Sequence, residues 1–210
     1  VTDAPGSGDG AAPRNKTAAA LLEASIEMLA ARGEAGFRVE DVLETCGASP
    51  SSLYHHFGSR DGLIEAATFE AYRRMTEEDF VVVRAAFSDA ADPEDLLARL
   101  RVVARLFEGG DRAVLRLERL RLLGASVTRP ALREKLGADI DRVTEELSGL
   151  FADGQRRGLI RPGVDTRAAA MFAQAFTFGF VLDDIAGDGI AMAGWVTMID
   201  AFHEGIIVQA

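Results

Sequence analysis

Apolar side chains return along most of this chain every three or four positions, the period of an α-helix rather than the alternation of a strand. Over 16–32 the set Ala18, Leu21, Leu22, Ser25, Ile26 and Leu29 lies on one face, so a first helix is predicted there. A short helix follows over 39–45, another starts at Pro50, and a long one over 60–87 carries Leu63, Ala67, Ala71 and Met75 at helical spacing. Further helices are predicted over 93–108, 111–124, 130–157, 165–186 and 190–208. Breaks separate them at Asp89 to Pro93, Gly109-Gly110, Thr128-Arg129-Pro130, Arg161-Pro162-Gly163 and Gly187-Asp188-Gly189. No alternating pattern competes and no internal repeat is detected, so the predicted fold class is all-α.

The stretch from Thr45 to Leu63 is the most specific. Gly47 can end one helix in the left-handed conformation, Ser49 can cap the next with its hydroxyl, and Pro50 sits at the first helical position, where a missing N–H is no loss. Leu53 and Phe57, four apart, share an inner face, while Ser51, Ser52, Tyr54 and His55 point elsewhere. Gly58-Ser59 makes a second short turn, with Ser59 as cap and Arg60 at the start of the long helix. This reads as a helix-turn-helix whose second helix has an outer face free to touch a partner.

The order Gly47, Ser49, Leu53-Tyr54, His56-Phe57, Ser59-Arg60-Asp61 and Leu63 resembles the DNA-binding domain of the TetR family of bacterial transcriptional regulators. Upstream, Leu21-Leu22, Ile26, Gly33, Gly36 and Asp41-Val42 continue the pattern, so the resemblance runs from Arg14 to Ile64. It departs at Arg38, where the family often has a Ser or Thr cap, at Ser51, where it commonly has glycine, and at Arg60, normally lysine. The resemblance implies a three-helix DNA-binding domain over 14–62, followed by a larger helical ligand-binding and dimerisation domain over 63–210. It also implies backbone contacts from Tyr54 and Arg60. By side-chain chemistry, Ser51, Ser52 and His55 suit base edges in a major groove, and Lys16, Thr17, Tyr54 and Arg60 suit phosphates. Arg38, Ser49 and Pro50 complete the candidate surface. For Tyr54, a ring packed between helices is the competing reading.

Net charge complicates that picture. The 210 residues carry a formal −10, and over positions 1–70 five basic residues face eleven acids, whereas DNA-binding surfaces are expected to be basic. Arg14, Lys16, Arg38 and Arg60 each fall at or just before a predicted helix start, and helix N-termini offer N–H groups to phosphate without side-chain charge. Weak non-specific binding with strong dependence on the exact site is therefore expected. Residues 1–13, rich in Gly, Ala, Pro, Ser and Asp, are expected to be a flexible arm. The apolar run Ala168 to Leu182 is short for a membrane span of about 20 residues, and with no signal peptide apparent a cytoplasmic protein is expected. The single cysteine, Cys46, reads as a small buried hydrophobe in preference to a redox sensor.

The second half holds two further patterns. Between Arg99 and Lys135, ten basic residues face four acids, which is either an anion-binding surface or a helical face paired with the acidic remainder. Ala168 to Leu182 is apolar nearly all round, and the last helix presents Trp195, Met198, Phe202 and Ile206 as one stripe with Ile199 beside it. Phe178, Leu182, Trp195, Ile199, Phe202 and Ile206 are the expected interface of a homodimer built as a four-helix bundle, the arrangement the resemblance implies; closing a monomer's own core is the alternative. Phe107, Leu122, Phe151, Phe172 and Phe176 are candidates to line a pocket for a hydrophobic effector, or to be plain core.

Catalytic chemistry is hard to assemble. His55 and His56 are adjacent and point apart, and Asp183-Asp184, Asp200, His203 and Glu204 lack the spacing that would support a metal site. No phosphate loop, Cys-x-x-Cys or nucleophile motif is found, so neither enzyme activity nor a cofactor is expected. The expected function is a homodimeric transcriptional repressor, released from a palindromic double-stranded DNA operator by a small hydrophobic effector. A protein-interaction module of the same fold, without DNA binding, is the alternative that the acidic N-terminal region favours.

Overall fold

The computed structural model describes the backbone of residues 11–109, 112–186 and 192–208, with side chains over 16–109, 112–186 and 194–208. Nine α-helices are found among them: α1 Ala11–Arg32, α2 Val39–Cys46, α3 Pro50–Phe57, α4 Arg60–Ser88, α5 Pro93–Glu108, α6 Ala113–Ala125, α7 Pro130–Arg156, α8 Thr166–Ala186 and α9 Met192–Ile206. A short 3-10 turn, Ser126–Thr128, precedes α7, and the extended contact among the described residues is a single antiparallel bridge between Ile160 and Ile207. The helix periods therefore translate into helices within a few residues of their expected ends. At the N-terminus the helix begins earlier than expected, since Ala11 to Pro13 belong to α1; the rest of the expected arm, and the break at Gly187 to Gly189, lie outside the described residues.

The chain forms two compact units that divide between Tyr72 and Arg73, within α4. This is further along than the expected boundary at 62, because Leu63, Ile64 and Ala67 of α4 are buried with Leu21, Leu29, Phe37, Val42 and Leu53 in the core of the first unit. There α1 packs on α2 and α3. Ser25, fully buried on the inner face of α1, satisfies its hydroxyl by donating to the Leu21 carbonyl at 2.7 Å. Cys46 is half-buried against the same core.

In the second unit α8 packs on α7, α6 and α5, and α5 also packs on α9. Phe87, Leu100, Val103, Phe107, Leu147, Phe151, Phe176, Phe180 and Ile199 are among its buried residues. Arginines cap several helix C-termini, where the last carbonyls lack intrahelical partners. Arg157 donates to the carbonyls of Phe87 in the last turn of α4 and of Ala90 just beyond it, and Arg161 reaches the Ile207 carbonyl at 3.0 Å beyond α9. Arg116 donates to the Phe107 carbonyl at 2.5 Å at the end of α5.

α8 is 21 residues long and apolar enough that by length and composition alone it passes for a membrane span. It exceeds the apolar run expected from the sequence. Its Ala169, Ala170, Phe176, Phe180 and Val181 are core residues of a helical bundle, which accounts for that side of the helix.

Two of the expected interface residues of α9 require correction. Ile199 and Ile206 are 1% and 7% exposed and belong to the unit's own core, with Trp195 and Phe202 half-buried against it. Helical spacing selects a face without saying what covers it, and the outward face of α9 is instead Gly194, Met198, Ala201 and Gly205. On α8 the outcome differs: Leu182 is 64% exposed and Phe178 half-buried, in a stripe with Met171, Ala175 and Ile185. Gly179 faces the other way; a Cβ there would come within 2.3 Å of the Trp195 ring, so α8 and α9 approach at a contact only glycine allows.

Candidate nucleic-acid interface

The turn between α2 and α3 is built from local chemistry. Gly47 takes φ 63° and ψ 26°, the left-handed conformation that ends α2, and its N–H bonds the Leu43 carbonyl. Ser49, extended at φ −86°, accepts a hydrogen bond from the Ser52 N–H at 3.3 Å, and Pro50 opens α3. The Ser49 hydroxyl also lies 2.9 Å from that of Ser51 and 3.1 Å from that of Ser52, so three hydroxyls gather at the N-terminus of α3. Ser59 caps α4 in the same way, accepting from the Gly62 N–H at 2.9 Å. Loss of the Ser49 cap has a modest expected effect: Ser49→Ala lowers stability by about 1 kcal/mol, read as a shifted urea midpoint with an unchanged slope.

Leu53 is fully buried and fixes the rotation of α3, which leaves Ser51, Tyr54 and His55 outward. Tyr54 is 57% exposed, so its ring is not packed away between helices. His55 is exposed, with its ring centroid 5.0 Å from that of half-buried His56 and nearly perpendicular to it. Lys16, Ser49 and Pro50 are exposed on the same unit, and Thr17 and Ser52 are half-buried.

The two arginines behave in a way that spacing did not reveal. Arg60 donates from Nη2 to the carbonyls of Glu34 and Phe37 at 3.3 and 3.4 Å, pairs with Asp61 at 3.2 Å, and sits over the Phe37 ring at 5.6 Å. Arg38 folds back onto the Ala35 and Phe37 carbonyls at 3.1 and 3.3 Å. Both guanidiniums thus meet at the Phe37 carbonyl, concentrating positive charge at one spot of an acidic unit. Arg60 also joins the α1–α2 loop to the start of α4, and a residue bonded over 26 positions leaves no local sequence signal.

The five candidate effector residues take part in core packing to different degrees. Phe151 packs edge-on against Phe87 at 5.1 Å, Phe172 stacks on Phe202 at 4.1 Å, and Phe176 meets the rings of Phe180 and His203. Phe107, Leu122, Phe151 and Phe176 are buried and Phe172 is 39% exposed. Phe107 borders a small cavity that it shares with the charged side chains Asp79, Arg112, Arg116 and Arg119.

Among the described residues, the titratable side chains of α8 and α9 gather no metal centre. Asp184 is engaged by Arg116, Asp200 and Glu204 by Arg101, and no group of three ligands gathers among the described residues. Arginines of the basic segment are largely paired in this manner, Arg112 and Arg119 with Asp79 and Arg99 with Asp95.

Residues 21–67, which span α1 to α4 with this turn at their centre, match the profile of the bacterial regulatory proteins of the tetR family. The N-terminal domain belongs to the TetR family. It is 23% identical over 193 residues to the HTH-type transcriptional regulator UidR of Escherichia coli K12, covering 90% of this chain and 92% of that one. A TetR-family transcriptional regulator from Rhodococcus sp. superposes with a TM-score of 0.61 at 26% identity, over 92% of this chain and all of that one. A regulator from Saccharomonospora viridis, solved in complex with choline, superposes with a TM-score of 0.63 at 22% identity, over 93% of this chain and 100% of that one. The protein is accordingly a DNA-binding transcriptional regulator and, like its relatives, not an enzyme.

Proposed function

We propose that the protein is a homodimeric repressor, acting in the cytoplasm, whose recognition helices α3 enter successive major grooves of a palindromic operator roughly 34–36 Å apart. The observation that carries this reading is the outward set Ser51, Tyr54 and His55 on a helix capped by Ser49 and held by buried Leu53. Ser51, Ser52 and His55 read base edges, while Lys16, Thr17, Tyr54 and the Ser51 N–H at the start of α3 hold phosphates. Arg38 and Arg60 supply the local positive charge.

The dimer forms through the stripe Met171, Ala175, half-buried Phe178, Leu182 and Ile185 of α8, with Met198 of α9 beside it. These residues recur at four and three positions, the spacing of a helix-packing seam. Small Gly194, Ala201 and Gly205 on α9 let a partner helix approach closely. An effector bound within the second unit favours a conformation whose reading heads are misspaced, to the extent that it binds that state more tightly. The Saccharomonospora viridis relative binds choline, which supports a small-molecule effector for this chain in general terms.

Fluorescence anisotropy on duplexes from the DNA flanking the gene, over a range of salt concentrations, tests the reading. Specific, salt-dependent binding is expected. His55→Ala should lose discrimination between operator and scrambled duplex by about 1–3 kcal/mol, whereas Arg60→Ala should weaken both alike and flatten the salt slope. Full discrimination by His55→Ala would remove that residue from the base-reading set. The interaction-module alternative, favoured by the acidic balance of positions 1–70, predicts no specific duplex binding at any salt.

A further inference from the structure

The basic segment is not a uniform solvated face: three of its arginines converge. Arg112, Arg116 and Arg119 line one cavity of about 20 Å³, room for a single water-sized group, together with Asp79, Phe107 and Thr177. Their guanidiniums are held in place from behind. Arg116 is nine-tenths buried and forms a two-pronged pair with Asp184, Nε to Oδ2 at 2.7 Å and Nη2 to Oδ1 at 2.6 Å, with its plane over the Phe180 ring at 5.4 Å. Arg112 lies over the Phe107 ring at 5.2 Å. Stacking and pairing fix the direction of donors that a free arginine would leave mobile.

Asp79 displays what this arrangement recognises. One of its carboxylate oxygens takes Nη1 of Arg112 and the other takes Nη2 of Arg119 at 2.5 Å, so the two arginines grip a planar carboxylate from both sides. Two acids, Asp79 and Asp184, face three guanidiniums, which leaves one positive charge in excess among these groups. Arg119 also keeps a buried Nε–H with no partner among the described residues. A donor left over beside a cavity, on a side chain already aligned for a carboxylate, is an unmet requirement for an acceptor.

We propose that this cavity is the anchoring subsite for the carboxylate of a small organic acid, which takes over from Asp79 the donors of Arg112 and Arg119. The inference rests on the effector-responsive reading above and changes its chemistry: the effector is an acid and not a neutral hydrophobe. Its apolar body lies over Leu115, which is 45% exposed at the cavity. The exchange has a mechanical consequence, since Asp79 belongs to α4, the helix whose Leu63, Ile64 and Ala67 are core residues of the DNA-binding unit. A ligand that frees Asp79 removes the ion pairs joining α4 to α6 and to Arg112 just before it.

The test uses the full chain without DNA. Isothermal calorimetry is run with benzoate and phenylacetate, each against its neutral amide. The carboxylates are expected to bind at least about tenfold more tightly than the amides, because only they satisfy charged donors. Arg119→Gln should lose that preference, and Arg119→Lys, which keeps the charge without the fork, should retain part of it. Asp79→Asn should bind the carboxylates about tenfold more tightly still, the internal competitor being gone. Melting curves of each variant establish that it is folded. Equal affinity for acid and amide, an Arg119→Gln variant with unchanged preference, or no carboxylate binding by either the wild type or Asp79→Asn would overturn the proposal. Operator binding by the ligand-free protein is independent of all three results, so failure of the anion site is distinguishable from failure of the repressor reading.

Discussion

Arg116→Met lowers the stability of the protein by about 3–5 kcal/mol, while the double variant Arg116→Met with Asp184→Leu recovers most of that loss. Both side chains of the pair are 9% exposed, so removing either one leaves a charge that water can scarcely reach. The arginine does more than balance Asp184. Its Nη1 donates to the Phe107 carbonyl at 2.5 Å and lies 3.4 Å from those of Glu108 and Gly109, which closes the C-terminal end of α5. One guanidinium thus joins α5, α6 and α8. Replacing the pair with apolar side chains removes the stranded charge and restores packing against Phe180, though the α5 carbonyls lose their cap. Urea unfolding of the two single variants and the double variant gives the coupling energy directly. If the double variant were as unstable as the sum of the singles, the helix-capping role would dominate and the ion pair would count for little.

Stability should also fall as the pH drops below neutrality, and His203 is the reason. Its imidazole is 5% exposed, between the rings of Phe176 and Phe202, and its Nδ1 has no hydrogen-bond partner among the described residues. Burial pushes its pKa down to about 4; the Asp200 carboxylate opposes this shift and the Arg101 guanidinium adds to it. The unfolded chain takes up the proton near the ordinary value of 6.5, before the folded one can. Stability is therefore complete above about pH 6.5 and is lost as pH falls from there towards 4, by up to about 3 kcal/mol. Urea midpoints measured between pH 7 and pH 4.5 should decline for the wild type. His203→Gln, which cannot take up a proton, should give a flatter profile over the same window. An identical decline in both proteins would assign the effect to the carboxylates instead.

How much of the candidate site was legible depended on how locally each feature is determined. The helix-turn-helix was readable because its signals act over a few residues: left-handed Gly47, the Ser49 hydroxyl three positions before its N–H partner, Pro50 at the first helical position, and Leu53 with Phe57 on one face. Outward placement of Tyr54 and His55 then follows from burial of Leu53. Arg60 was readable as a cation at a helix start, but not as the residue that grips the Glu34 and Phe37 carbonyls. The three arginines around Asp79 were readable only as part of a basic run, and their pairing left no signal, because their partners lie 33 to 68 positions away in the chain.

The sequence by itself determined nine helices, the breaks between them and the chemistry of the reading turn, since helical period, capping and backbone preference are properties of neighbours within about one turn. Tertiary structure alone decided which apolar faces are covered and which charges are neutralised. The stripe of α9 is core at Ile199 and Ile206, whereas that of α8 stays open at Met171, Leu182 and Ile185, although both have the same periodicity. Likewise the basic run between Arg99 and Lys135 became a set of ion pairs around a small cavity only once α4, α6 and α8 packed together. Burial and pairing depend on what lies across a contact, and a one-dimensional pattern records only which side chains are available to make it.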